Sequence, residues 1–493
     1  LVQVSARGLR GGYRDGNASA FGETLNDTGA ATTLGGSSGR SGGSYGGLGQ
    51  AHTGQPTAVY GDEMAPAAPG AGGGSTNSAY PGGNGGGMAR LNVGSIVLNG
   101  QILADGGNGS AYAGGGAGGA IHVNVAGGTV SGTGLVRARG GAGSLSSGDG
   151  GGGRIALTGF SSSTYTGGMM AAGGGSTESA AGTVFVKRST QPAGELILDN
   201  NAVVTNAATP IRNQYDVLTV RNGAALRVAN TVSATSLAVR TSGSLLIEST
   251  GKLTVTGDFT LANLGSKLTN LGELTVPTFS NTNVTVASTA STPRIVVVNR
   301  GRLVVVSDVM EIGRGVELTE DGDLRGGTRG ADTIGAFTLM SGGYLNHSPR
   351  SADGLRFTVA NTLDIQSGGI VDVSSRGLRG AYRDGSTVSE GERPSGSSAT
   401  TAGGATGRSG ASHGGAGQAV AGTSNATYGD LRDPTALGSG GASTDNRYPG
   451  GNGGGRVDLS AGTMLVNGQI LADGGIGSYY GGAGSGGSIR LRL

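Results

Sequence analysis

The densest run of ionisable side chains is "ELTEDGDLRGGTRGAD", which carries Glu317, Glu320, Asp321, Asp323, Arg325, Arg329 and Asp332. Glycoside hydrolysis needs two carboxylates about 5–10 Å apart, and an arginine beside them would act as a stabiliser. The competing reading is a solvated turn in a chain otherwise poor in charge. The four histidines, His52, His122, His347 and His413, are scattered. His413 stands where an earlier, nearly identical stretch has Tyr45, so it is read as a surface residue. No catalytic residue is assigned, and the chain is read as a non-enzyme. Aspartates recur in Gly-rich turns as the pairs Asp15 and Asp384, Asp62 and Asp430, and Asp105 and Asp473. They offer the hard oxygen ligands that calcium takes. The alternative is turn capping, in which the carboxylate accepts nearby amides. The tandem Gly-Gly-x-Gly-x-Asp pattern of calcium-binding rolls is absent. Tyr13, Tyr45, Tyr60, Tyr80 and Tyr112 lie in Gly-rich stretches. They could stack on sugars or pack within their own loops. "GGNGGG" lacks the Lys-Ser/Thr and the following helix of a phosphate-binding loop.

The positioning elements emerge from repetition. "YPGGNGGG" occurs at Tyr80 and again at Tyr448, an offset of 368 residues. "RGLRGGYRDG" from Arg7 returns as "RGLRGAYRDG" from Arg376, and "GRSGGSYGGLGQA" from Gly39 as "GRSGASHGGAGQA" from Gly407. Residues of about 3–125 are therefore a unit copied at 370–493. The chain divides into 1–190, Gly-rich with long loops; 191–369, regular; and 370–493, the second copy.

Of 493 residues 106 are Gly, and there is no Cys or Trp. Without a Gly-X-Y period this is not collagen. Without Cys there are no disulfides and no thiolate metal sites. The net charge of +2 gives no basic stripe for nucleic acid. No stretch approaches the roughly 20 apolar residues of a membrane span. The chain opens on Leu1 and closes on "GGSIRLRL", which reads as a slice of a longer polypeptide.

In the middle, "GAALRV" at Gly223, "GKLTV" at Gly251, "GELTV" at Gly272 and "GRLVV" at Gly301 share one template. Short alternating apolar runs between turn residues predict strands. Recurrence at about 21 residues predicts one solenoid coil per repeat. The expected fold is all-β: a parallel β-helix with long glycine-rich excursions, partly of polyglycine or polyproline-II character. Leu and Val point inward, while Lys252, Thr254, Glu273 and Thr275 point to solvent. Glycine runs mark places where a loop rejoins the stack and a Cβ would clash.

The coils "GKLTVTGDFTL" from Gly251 and "TLDIQSGGIVDV" from Thr362 resemble the right-handed parallel β-helix proteins of bacterial surfaces, namely filamentous-haemagglutinin-like adhesins and autotransporter passengers. The resemblance implies an extracellular or cell-surface location. The expected function is structural: a segment of a long repetitive fibre or stalk whose partner is itself, head to tail. The alternative is an adhesin that binds glycans or cells through its Gly/Tyr/Arg-rich loops. The third is a polysaccharide lyase or glycosidase. No cofactor is expected, with calcium the metal that the aspartates would take.

Overall fold

A computed structural model describes the chain except residues 145, 176–177, 264, 281–294 and 397. Among the described residues every regular element is a β-strand, and no helix is long and apolar enough to cross a membrane. The chain falls into two compact units, Leu1–Leu268 and Thr269–Leu493.

In the first unit, strands Met88–Val93, Ala120–Val125, Arg154–Phe160 and Thr183–Arg188 pair side by side and parallel, with one register shift between Thr158 and Phe160. Two narrower parallel ladders accompany them. One joins Ile96–Val97, Thr129–Ser131 and Ser162–Ser163. The other joins Val2–Gln3, Gln101–Leu103, Leu135–Arg137 and Gly168–Met170. The chain visits the three ladders in the same order each time, then passes through a Gly-rich stretch before returning. The alternation of side chains places Ile121, Val123, Ile155, Leu157 and Val184 on one face, where they pack with Ile102 and Val136. Each such side chain contributes about 1.5–3 kcal/mol on burial.

The Gly-rich stretches are packed rather than slack. They cross-bond through their backbones: Gly83 N–H donates to Gly114 O, Gly115 to Gly148, and Gly118 to Gly151, each at 2.9–3.0 Å. The glycine run at the end of the repeated phrase has a steric cause. A Cβ on Gly85 would lie 1.8 Å from Gly70 O, and one on Gly86 2.0 Å from Ala104 O. In the second copy Gly453 and Gly454 would meet Gly438 O and Ala472 O at 1.9 and 2.0 Å. Any side chain there would force the excursion away from its neighbours.

Short antiparallel pairs occur within the excursions, as between Thr24–Leu25 and Ala31–Thr32 and between Arg393–Ser395 and Ser398–Thr400, and the main ladder also departs from the expected all-parallel order at one place. Glu195–Asp199 pairs antiparallel with Thr183–Arg188, in the register Val184↔Ile197. The connection of residues 189–194 is short, and its Gly194 has φ +81°. A link of that length returns a strand only antiparallel, because a parallel return needs a crossover of a dozen or more residues. Beyond it Glu195–Asp199, Gln214–Arg221, Thr231–Arg240 and Lys252–Val255 run parallel to one another. Strand direction in this sheet therefore reverses once, where the Gly-rich part meets the regular part.

The second unit has three parallel ladders. The first joins Glu273–Val276, Arg302–Val305 and Asp323–Gly326. The second runs from Phe279–Ser280 through Val309–Ile312, Ala336–Leu339, Leu355–Ile365 and Arg456–Val466 to Ser488–Arg492. The third runs from Ile295–Asn299 through Val316–Glu320, Tyr344–Asn346 and Ile370–Asp372 to Gln469–Leu471. Equivalent residues stack into buried columns: Leu274, Leu303 and Leu324; Met310, Phe337 and Leu363; Leu318, Leu345 and Val371. The second copy repeats the first locally. Ile370–Asp372 pairs with Gln469–Leu471 as Val2–Gln3 pairs with Gln101–Leu103.

Candidate functional site

The carboxylate run is divided among neighbouring strands and turns. Glu317 accepts from Asn346 Nδ2 at 2.9 Å. Asp321 accepts from the Ser348 amide at 2.8 Å. Asp323 holds Arg325 and accepts from Arg302 and the Asp332 amide. Burial pushes the Asp323 pKa up, but Arg325 and these other donors outweigh it and leave it below the usual range. Arg329 turns to Asp308, at 2.6–2.8 Å, and its hydrogen bond lowers the Asp308 pKa. Glu320 is 2 % exposed. Its Oε1 accepts from Asn299 Nδ2 at 2.7 Å and the Gly322 amide at 2.9 Å. Burial pushes its pKa up to about 8. Asn299 Oδ1 in turn accepts from Asn270 Nδ2 at 2.7 Å. This inward column of amide and acid follows the strand stacking and ties one turn of chain to the next.

The six aspartates have different fates. Asp15 and Asp384 both have left-handed backbone, φ +51°. Each accepts from the asparagine of the repeated phrase, Asn84 at 2.5 Å and Asn452 at 2.6 Å. Those asparagines accept from the Gly11 and Gly380 amides, both at 2.9 Å. The phrase thus clamps the Arg-Asp-Gly turn that opens each excursion. Asp62 and Asp430 cap turns through the amides of Met64 and Arg432, both at 2.7 Å. Asp105 is held by Arg137 at 2.7–3.1 Å and by the Arg139 amide. Asp473 is exposed. Among the described residues no group of three or more His, Cys, Asp or Glu could hold a metal ion.

The tyrosines separate into buried and exposed sets. Tyr45 is fully buried and so has no free ring face for a ligand. It lies under the Arg154 guanidinium at 5.6 Å and against Tyr60 at 5.0 Å, and burial raises its pKa to about 12. The Tyr60 hydroxyl donates to Pro69 O at 2.6 Å. The same buried node contains Glu63, which accepts from Tyr215 at 2.6 Å and Asn213 at 2.7 Å and faces Arg154 at 3.7 Å. Sequence reasoning missed this node. The available signal was the contrast of "YGDEM" with "YGDLR", an acid where the second copy has Leu431. Tyr13 has left-handed backbone, φ +55°, and is half-buried.

Tyr80 and Tyr112 are exposed and meet edge to face at 5.8 Å. Arg40 lies over the Tyr112 ring at 5.0 Å. The second copy rebuilds this patch: Tyr448 meets Tyr480 edge to face at 5.1 Å, and Arg408 lies over Tyr480 at 4.4 Å. Tyr479, 83 % exposed, enlarges it. Each patch offers an amphipathic aromatic surface with a cation alongside.

Two of the histidines, His413 and His347, are buried in packing and hydrogen bonds. His413 is buried, contrary to the surface placement expected from its exchange with Tyr45. It stacks on Tyr428 at 4.8 Å, and its Nδ1–H donates to Gly486 O at 3.0 Å. Aromatic shape, rather than solvent exposure, is what that position keeps. His347 is also buried. Its Nδ1–H donates to Ser348 O at 2.7 Å and its Nε2 accepts from the Arg456 amide at 3.1 Å. Burial lowers its pKa, and both contacts suit the neutral ring. Compared with known proteins, the chain matches no family description, no curated protein and no solved structure.

Proposed function

We propose that this chain is a structural segment of a long repetitive extracellular fibre or surface stalk, in which the parallel ladders close into stacked β-helix coils clad by glycine-rich excursions. The observation that carries this reading is the treatment of the second copy. Its strands add parallel to the ladders before them, with one register shift between Val359 and Thr362, and its glycine runs close against backbone as those of the first copy do. A unit that adds to its predecessor in this way can be added again, and contacts that do not close make filaments. Carboxylates held by arginines, asparagines and amides fit a stack whose polar groups hold turn to turn. Diffraction from oriented native material is the test. Stacked coils put a reflection at about 4.8 Å along the fibre axis. That spacing perpendicular to the axis, or absent, rejects the reading.

The recurrent Arg–Tyr patches support a second reading, an adhesin that takes glycans on Tyr80 with Tyr112 and on Tyr448 with Tyr480. Its test is glycan or cell binding by the double variant Tyr112→Ala, Tyr480→Ala. Lost binding with unchanged thermal unfolding supports it, and unchanged binding removes it.

A further inference from the structure

A pyranose ring has an apolar C–H face, and uronic or sulfated sugars add an anionic edge. A site for such a sugar needs an aromatic face and, beside it, a cation that no carboxylate has claimed. Both Arg–Tyr patches have this form. Arg40 lies over Tyr112 and Arg408 over Tyr480, and among the described residues neither guanidinium forms an ion pair. The Arg40 Nε is buried without a hydrogen-bond partner. Arg14 is a second cation at the first patch. Its Nη2 donates to Ser110 Oγ at 3.2 Å and to Pro81 O at 3.3 Å, so it touches both segments that carry the tyrosines. Its Nε is likewise buried and unpartnered. The neighbouring acids are occupied: Asp15 accepts from Asn84 at 2.5 Å, and Arg447 holds Asp445 at 2.7 Å. By contrast Arg137, Arg221 and Arg490 are matched by Asp105, Asp199 and Asp458.

The frame of the patch is built twice. Ser75 Oγ donates to Tyr80 O and Ser443 Oγ to Tyr448 O, both at 2.6 Å. The Ser110 amide donates to Pro81 O at 3.0 Å and the Ser478 amide to Pro449 O at 2.9 Å. These bonds fix the two tyrosine-bearing segments side by side, so little ordering is left for a ligand to impose. Tyr80, Tyr112 and Tyr480 are 37, 41 and 38 % exposed. Chain follows the first patch and precedes the second, so this exposure belongs to the patch itself. The stretch that bears Tyr112 also carries Asp105 and Asn108 into a cleft of about 450 Å³ lined by Arg137 and Arg139. Asp105 takes Arg137, whereas Arg139 donates to the carbonyl oxygens of Gly173 and Gly175 and keeps its charge uncompensated.

We propose that the Arg–Tyr patches bind an acidic glycan, one whose sugars carry carboxylate or sulfate. A sugar ring lies on the tyrosine pair, and its anion takes the unpaired N–H groups of Arg40 in the first copy and Arg408 in the second. A planar guanidinium offers such an anion two parallel hydrogen bonds. In the first copy Arg139 takes the anion of a neighbouring sugar. The inference rests on the adhesin reading above and names its ligand class.

The test is titration calorimetry of the folded 493-residue chain with hexasaccharides of galacturonate, of heparin and of neutral glucose. At least one acidic hexasaccharide should bind about tenfold or more tighter than the neutral one, the factor that a hydrogen bond to a charged group supplies. Added salt should weaken that binding. Preference for galacturonate assigns carboxylate sugars, and preference for heparin assigns sulfated ones. Arg40→Gln with Arg408→Gln should lower acidic binding to the neutral level without altering thermal unfolding. If that variant does not fold, Arg40→Lys with Arg408→Lys, which keeps the charge but not the planar fork, should reduce the preference. The proposal is overturned if acidic and neutral sugars bind equally, or if the folded variant keeps the preference. It is also overturned if a poly-glutamate peptide binds as tightly as the acidic sugars, because charge alone would then be recognised. Neutral binding without acidic preference rejects the proposal and leaves the adhesin reading standing, whereas no binding of any hexasaccharide removes both.

Discussion

Buried polar residues tie neighbouring strands to one another, and the titration of Glu320 is measurable. Glu320 keeps its proton in the folded state up to about pH 8, whereas an unfolded glutamate loses it near 4.3. The folded state therefore binds more protons across that window, and stability falls as pH rises through it, by a few kcal/mol in all. Glu320→Gln should remove this slope, leaving a variant more stable than the parent at pH 8 and little changed at pH 5. Denaturant melts at the two pH values decide it, and parallel profiles would show that the acid is not buried as described. Glu63 is buried as well and faces Arg154. Glu63→Leu leaves Arg154 uncompensated and should cost about 3–5 kcal/mol, read as a lower urea midpoint. The aspartates Asp15, Asp105 and Asp384 already satisfy protein donors, so EDTA should leave the melting temperature unchanged. A fall on chelation would support the calcium reading.

At the scale of elements, the sequence disclosed what period and punctuation can disclose. Alternation in "GKLTV" and "GRLVV" shows strands with Leu253, Val255, Leu303 and Val305 inside, and these four are buried. The glycine runs predicted close backbone approach, which Gly85, Gly86, Gly453 and Gly454 display. Gly86→Val should therefore overpack the excursion against Ala104 and cost at least about 1–3 kcal/mol. Limited proteolysis within residues 4–87 would report it, and unchanged protease resistance would contradict it. Three features were not legible. The strand reversal at 184–197 was hidden because the 21-residue pattern dominated the Pro-Ala-Gly turn between two apolar runs. For Tyr45 the sequence left sugar stacking and packing open, and Glu63 was overlooked, because their burial depends on Arg154 and Tyr215, distant in sequence. The Arg–Tyr patches were half legible: Tyr80 and Tyr112 were named but Tyr480 was not, and Arg40 and Arg408 reach the rings only through packing of the excursion.

At the scale of the whole molecule, the two copies act as an internal control. One phrase, "YPGGNGGG", performs the same clamp twice through Asn84 and Asn452, which argues that the repeated unit carries its own folding instructions. Locally determined turns with non-polar columns inside need few charges, which accounts for a chain with only 13 % charged residues. The proposed fibre follows if such units continue in register. The most direct test is cryo-electron microscopy of the native assembly. A filament whose axial repeat matches one 368-residue unit, roughly 12–16 coils at about 4.8 Å or on the order of 60–80 Å, is the expected result. Discrete, monodisperse particles without an axial repeat would contradict it.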